Sequence, residues 1–318
     1  MKPSLLWTSW LLAFAVSRAG PVDATPFTPG NLVISGVARG QLIYRINEYP
    51  PDRVLAQWIE PEAPLGNTDL LAPRDIVIGA DGLLHVYQGR TKAAFLSTYD
   101  PVAGSWSHLT HPEWTGSSTA NEGGIARFGS TVFVTDSAWF GDASGIIAFD
   151  LALGTATRFA TSLDPFDLTL GLDGSLWALS GETAFAYDPT TFTALGSVSL
   201  AAVEDPMALA VDVGGDFFVA NYEGEVVHLS ATGAYLDAQD FTDVGPLFDI
   251  DLAPTGLIAV GSWVDDTVLT DTQFSFVRGI EGGRWESFVA FVPVPEPTAI
   301  ALCAAGCVLV AWQRRERA

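Results

Sequence analysis

A turn glycine followed by a short apolar strand recurs six times along this chain. Gly30-Asn-Leu-Val-Ile-Ser is first, then Gly82-Leu-Leu-His-Val-Tyr, Gly129-Ser-Thr-Val-Phe-Val, Gly174-Ser-Leu-Trp-Ala-Leu, Gly215-Asp-Phe-Phe-Val-Ala and Gly256-Leu-Ile-Ala-Val-Gly. The spacings are 52, 47, 45, 41 and 41 residues. Self-similarity at such a period means equivalent supersecondary units, none of which buries its apolar face alone. From the second unit onward an apolar run precedes the glycine: 76–79, 125–128, 168–172, 209–213 and 250–252. A further run ends in a polar residue: 42–47, 95–100, 146–150, 184–188, 226–230 and 268–271. Asp81-Gly82 and Asp173-Gly174 read as hairpin turns that need a positive φ.

Six such units, with almost no helical periodicity, predict an all-β fold: a six-bladed β-propeller over residues 25–292. The first unit lacks its leading strand, since only 26–29 precedes Gly30, and a surplus strand stands at 287–291. The C-terminal strand is therefore expected to complete the first blade and close the ring, removing the open sheet edge. A β-sandwich or two-domain split is the competing architecture; near-regular spacing argues against it. Three units also carry Pro-x-x-Ile or its near variant ahead of the glycine: Pro73 to Gly82, Pro165 to Gly174 and Pro206 to Gly215. In this the body resembles six-bladed propellers of the NHL, gluconolactonase-like and streptogramin-lyase-like group, a likeness of fold that leaves function open.

Seven residues before each turn glycine from the second onward stand Asp75, Glu122, Asp167, Ala208 and Asp249. On the innermost strands these positions would form a ring at the channel. Asp75, Glu122, Asp167 and Asp249 could then hold a hard cation such as Ca²⁺ through oxygen ligands, and the resemblance implies a metal at that place. The other reading is structural, with each carboxylate accepting backbone N–H bonds at a strand start. Converging carboxylates without cation or hydrogen bonds would repel and raise their pKa values.

Nothing else in the body suggests a reaction. The four histidines are His85, His108, His111 and His228. His108-Leu-Thr-His111 reads as a loop rather than a helical metal pair, and His85 and His228 read as packed strand residues. There is no Gly-x-Ser-x-Gly elbow, phosphate loop or EF-hand. Both cysteines, Cys303 and Cys307, lie in the terminal apolar run, so the body has no disulfide and no thiolate. Trp58, Trp106, Trp114, Trp139, Trp263 and Trp285 are candidates for stacking on sugar rings, with inter-blade packing as the alternative; Trp177 reads as core.

The two ends carry the strongest localisation signals. Lys2, the apolar stretch 5–16 and Ser17-Arg18-Ala19 form a secretory leader over residues 1–19, with a looser cleavage site at Ala24. At the other end come Val294-Pro295-Glu296-Pro297, an apolar helix expected over 298–312, and Arg314, Arg315 and Arg317. That helix of about 15 residues spans roughly 22 Å, short against a hydrocarbon core of about 30 Å. Its terminal arginines orient the body outside. This tail, residues 294–318, resembles the PEP-CTERM sorting signal. The resemblance implies processing by the membrane enzyme exosortase and delivery to the cell surface or an extracellular polysaccharide matrix.

The formal charge is −22. Setting aside Lys2, Arg18 and the tail's three Arg and two Glu leaves 10 basic and 35 acidic residues, or −25. Such a field repels nucleic acid and anionic membrane surfaces. Two functions remain open. One is an exported propeller that binds or scaffolds polysaccharide or protein without chemistry. The other is a cation-dependent, lactonase- or lyase-like propeller enzyme acting outside the cytoplasm.

Overall fold

The computed structural model describes residues 26–37, 44–50, 57–59, 73–88, 94–110, 114, 123–136, 144–264, 267–280 and 284–294. The leader, Glu122, His111, Trp139, Pro295, Glu296, Pro297, the expected helix 298–312 and Arg314, Arg315 and Arg317 lie outside them. Among the described residues no helix is long and apolar enough to cross a membrane.

Six four-stranded antiparallel sheets make up the body. The first blade holds β1 (Leu32–Val37), β2 (Tyr44–Tyr49) and β3 (Gln57–Ile59). The second holds β4 (Pro73–Ile78), β5 (Leu84–Gln88), β6 (Phe95–Asp100) and β7 (Ser105–Leu109). The third holds β8 (Ile125–Phe128), β9 (Thr131–Asp136), β10 (Gly145–Asp150) and β11 (Thr155–Phe159). The fourth holds β12 (Asp167–Leu170), β13 (Leu176–Ser180), β14 (Thr183–Tyr187) and β15 (Ala194–Ser199). The fifth holds β16 (Pro206–Val211), β17 (Phe217–Asn221), β18 (Glu225–Leu229) and β19 (Tyr235–Asp240). The sixth holds β20 (Leu247–Leu252), β21 (Leu257–Ser262), β22 (Thr267–Asp271) and β23 (Arg278–Ile280). The last strand, β24 (Arg284–Phe291), pairs with β1 as the innermost strand of the first blade. Its register sets Leu32 opposite Phe291 and Ile34 opposite Val289. The ring closes as the surplus C-terminal strand predicts.

The core is divided among six apolar clusters, one at each junction between neighbouring blades. Val33, Ile46 and Phe288 of the first blade meet Ile76, Leu84 and Val86 of the second. Leu32, Ile34 and Val289 meet Ala259 and Leu269 of the sixth across the closing junction. Second strands are covered on both faces, so β5 and β17 are buried along their whole length. That explains why they read as continuous apolar runs rather than alternating ones.

Four of the six turn glycines are equivalent; Gly30 joins no first and second strand, and its N–H donates to Val292 O. In the second, fourth, fifth and sixth blades a β-turn leads into the glycine: Gly82 N–H donates to Gly79 O, Gly174 to Gly171, Gly215 to Asp212 and Gly256 to Ala253. The φ values of these glycines are 78, 84, 85 and 83°, a region open to glycine and costly for other residues. Asp81 and Asp173 do not share that φ; their Oδ1 atoms accept the N–H of Leu83 and Ser175. These are longer turns closed by one left-handed glycine, not the two-residue Asp-Gly hairpin expected. The third blade differs. Phe128 pairs directly with Thr131, leaving only Gly129 and Ser130 in the turn.

The polar residues ending the third strands are turn-formers too. Oδ1 of Asp100, Asp150, Asp188 and Asp271 each accepts two backbone N–H groups of the following turn. Those turns, and the one after Ser230 in the fifth blade, each carry a left-handed residue. Gly104, Gly154 and Gly233 supply it in three blades, but Phe192 (φ 60°) and Phe274 (φ 50°) do so in two others. Each phenylalanine reaches back onto the preceding blade. Phe192 stacks on Phe159 at 4.8 Å, and Phe274 meets Phe218 edge-on.

Candidate functional site

The inner strands β4, β8, β12, β20 and β24 line a cavity of about 1250 Å³ along the ring axis. It is largely apolar, with Leu168, Leu170, Ile250 and Leu252 among its walls. Asp75, Asp167, Asp249 and Asp251 also face it. Its mouth lies among the turns joining first and second strands, where Val294 also sits.

Three of the four predicted carboxylates are described, and each bridges two blades. Asp75 Oδ1 accepts the N–H of Ile76 at 2.6 Å, and Oδ2 that of Ile125 in the third blade at 2.7 Å. Asp167 Oδ2 accepts the N–H of Leu209 in the fifth blade at 2.8 Å, and its carboxylate also takes that of Leu168. Asp249 Oδ1 accepts from Ile250 at 2.7 Å, and Oδ2 from Val289 on the closing strand at 2.5 Å. Asp251, which the seven-residue count does not reach, repeats the motif toward Leu252 and Phe291. Innermost strands expose an unpaired edge to the channel, and a buried N–H without a partner is costly. A carboxylate reaching sideways satisfies it.

The ring has a different composition from the one predicted. The residue preceding each bonded N–H in the receiving blade is Gly124, Ala208 or Phe288. Carboxylates therefore alternate with apolar or absent side chains around the axis. Gly124 holds the equivalent place in the third blade, where the turn is only two residues long. A Cβ on Gly124 would lie 2.0 Å from the Leu168 N; the bare backbone permits this junction to close.

Burial, followed by the charges of Asp249 and Asp167, pushes the Asp75 pKa well above the usual carboxylate range. Burial and the Asp167 charge do the same to Asp249. Burial outweighs two backbone N–H bonds at Asp167 and raises its pKa to about 7. Each carboxylate is already bonded to two N–H groups. Among the described residues no group of three or more His, Cys, Asp or Glu side chains is arranged to hold a metal ion.

At the cavity mouth a cationic clamp joins the second and third blades. Arg127 on β8 forks onto Asp81, with Nη1 2.7 Å from Oδ1 and Nη2 2.5 Å from Oδ2, and its Nε donates to Gly129 O. Nη1 also lies 2.7 Å from His85 Nε2. Since arginine only donates, Nε2 accepts and the His85 proton sits on Nδ1, which faces Thr98 Oγ1 at 2.9 Å. Burial first, and then the Arg127 charge, lowers the His85 pKa to about 3. Burial opposes ionisation of Asp81, but the Arg127 hydrogen bond outweighs it and the pKa falls below its ordinary value. A lone arginine in the otherwise apolar segment 125–128 was the available sequence signal for this clamp.

The histidines and tryptophans are mostly structural. His108 lies on β7, not in a loop, with Nδ1 2.9 Å from Ser97 Oγ. His228 on β18 stacks on Phe218 at 4.4 Å. Trp114 is buried between Tyr87 and Phe149 and donates Nε1–H to Thr135 O. Trp106 packs on Tyr99, and Trp177 is core against Phe217. Trp58 and Trp285 fall in β3 and β24. Trp263 differs. It is only half-buried and belongs to a cluster with Phe248 and the exposed Tyr222.

No family model and no curated protein sequence matches this chain. Solved structures match its shape. A protein of unknown function from Bacteroides caccae aligns with a TM-score of 0.55 and 12% identity, over 84% of this chain and 99% of the other. Streptogramin B lyase aligns with a TM-score of 0.52 and 13% identity, over 86% of each. At such identities the likeness is one of fold: the body is an all-β, six-bladed propeller similar to that of streptogramin B lyase.

Proposed function

We propose that this chain is an exported propeller that binds extracellular polysaccharide, or a protein associated with it, without performing chemistry. A tail of the PEP-CTERM type, read by an exosortase-like membrane enzyme, delivers it. One observation carries the choice of binding over catalysis: the channel carboxylates Asp75, Asp167 and Asp249 each accept two backbone N–H groups and join neighbouring blades. They act as fastenings rather than as a set free to take a proton from a substrate. The tail supports export through the inner membrane and release at the cell surface or into the matrix. Purified full-length chain applied to a glycan array and to native matrix is expected to be retained. No retention on any glycan or matrix component refutes the binding reading. Intact mass of the mature protein from its native cells tests the tail separately, and an unprocessed C-terminus counts against sorting.

A cation-dependent, lactonase- or lyase-like activity is the second reading, favoured by the convergence of three carboxylates on one cavity. A cation there, such as Ca²⁺, must compete with the N–H groups that hold them. Elemental analysis, with melting curves in Ca²⁺ and in EDTA, separates the two readings. Stoichiometric Ca²⁺ lost with Asp167→Ala favours the enzyme.

A further inference from the structure

We infer that Tyr222 and Trp263 form a stacking shelf for a ring of a neutral polysaccharide, at the end of the propeller opposite the cavity mouth. This rests on the polysaccharide-binding reading above and names its site and ligand class. Tyr222 occupies the turn between β17 and β18, and Trp263 follows β21, so both sit where second strands pass into third strands. The cavity mouth and Val294 lie at the other end, where first strands pass into second. The shelf therefore faces away from the point at which the tail leaves the body.

The platform is built and fixed. Phe248, 5% exposed, is a wedge beneath it. The Tyr222 ring meets Phe248 edge-on at 5.9 Å, and the Trp263 ring meets it at 5.1 Å and 57°. Tyr222 N–H donates to Asp205 O, and Trp263 N–H to Pro246 O. Tyr222 is 48% exposed, as is Val264 beside Trp263. A preformed platform on pinned backbone lowers the ordering cost of binding.

The chemistry selects the occupant. An aromatic side chain offers an apolar area of roughly 150–250 Å², which suits a sugar ring and falls well below the roughly 1,000 Å² of a stable protein interface. Asp205, Glu223 and Asp243 are exposed in the turns that carry the shelf and precede it. Carboxylates accept hydrogen bonds from sugar hydroxyls. They also repel polyanions, as does the body's −25 charge. A neutral polymer satisfies both conditions and an anionic one fails the second.

Affinity gel electrophoresis of the purified full-length chain tests this, with dextran, galactomannan, mixed-linkage β-glucan or alginate cast in the gel. The expected result is retardation on at least one neutral polymer and none on alginate. Tyr222→Ala and Trp263→Ala are each expected to weaken that retardation about tenfold. Tyr235→Ala, at a tyrosine exposed on β19, is expected to leave it unchanged. Tyr222 lies in an exposed turn, and an unchanged melting curve for Tyr222→Ala excludes misfolding; Trp263→Phe is the milder partner variant. Retardation that survives Tyr222→Ala, or that occurs on alginate alone, overturns the shelf while leaving polysaccharide binding intact. Conversion of a dimer to a monomer by Tyr222→Ala overturns it in favour of self-association. Absence of retardation on every polymer overturns the shelf, and retention on the glycan array and native matrix then decides the binding reading separately.

Discussion

Asp167→Asn is expected to flatten part of the dependence of stability on pH. Asp167 is 7% exposed, and burial raises its pKa from 3.8 to about 7. A carboxyl whose folded pKa exceeds its unfolded one holds a proton in the native state after the unfolded chain has lost it. Its contribution is complete below pH 3.8 and is lost as pH rises toward about 7. A shift of that size corresponds to roughly 4 kcal/mol at the alkaline end, as an order of magnitude. Asparagine keeps the shape and one acceptor but carries no titrating charge. At pH 5 the variant is expected within about 1 kcal/mol of the native protein, and by pH 8 it should gain on it by roughly 2–4 kcal/mol. Asp167→Ala leaves the N–H groups of Leu168 and Leu209 unpartnered and is expected to cost about 2–5 kcal/mol at pH 5. The assay is urea unfolding of the purified full-length chain at half-unit pH steps from 4.5 to 8. Parallel curves for native protein and Asp167→Asn would falsify the assignment of a raised pKa to this carboxyl. A neutral Asp167→Ala would refute its role as a fastening between blades.

Four further outcomes follow from the packing. Arg127→Met removes the clamp on Asp81 and the charge beside His85, so the His85 pKa, read by NMR titration, is expected to rise from about 3 while burial keeps it below 6.5; no change refutes the contact. Gly79→Ala is expected to move it in the same direction, since a Cβ there would stand 1.9 Å from Arg127 Nη1. At Phe192, replacement by glycine is expected to destabilise by about 1–3 kcal/mol, losing the ring but relaxing the φ of 60°; alanine, which keeps the strain, should cost about 1 kcal/mol more. Denaturation midpoints in the reverse order would contradict the account of that turn. Removing residues 295–318 is expected to move the melting temperature by less than about 2 °C, whereas removing 284–318 abolishes cooperative unfolding because β24 is lost. A cooperative transition in the shorter chain refutes closure.

Much of the architecture was legible because three of the four strands in each blade are buried and bear apolar runs. The outermost strands were not legible. β15 reads Ala-Leu-Gly-Ser-Val-Ser and is exposed at five of its six positions, so no burial constraint shapes its composition. The carboxylate ring was legible at Asp75, Asp167 and Asp249, where the turns share one length. In the third blade the count from Gly129 passes over Gly124, because it assumes a constant turn and that blade shortens it. Tyr222 and Phe248 escaped notice for another reason. They come from neighbouring blades and meet only through the folded ring, which no spacing along the chain encodes.

The place of β24 has a consequence for the order of events during biogenesis. The first blade waits for its innermost member until nearly the whole polypeptide has been made. The last 24 residues follow β24 directly, with only 292–294 between them and the strand. Under the export and processing proposed above, a tail that pauses in the bilayer leaves every strand of the ring already across it, and the circle can be sealed before any cut is made. A cut beyond Val294 then releases a finished body without disturbing its seam.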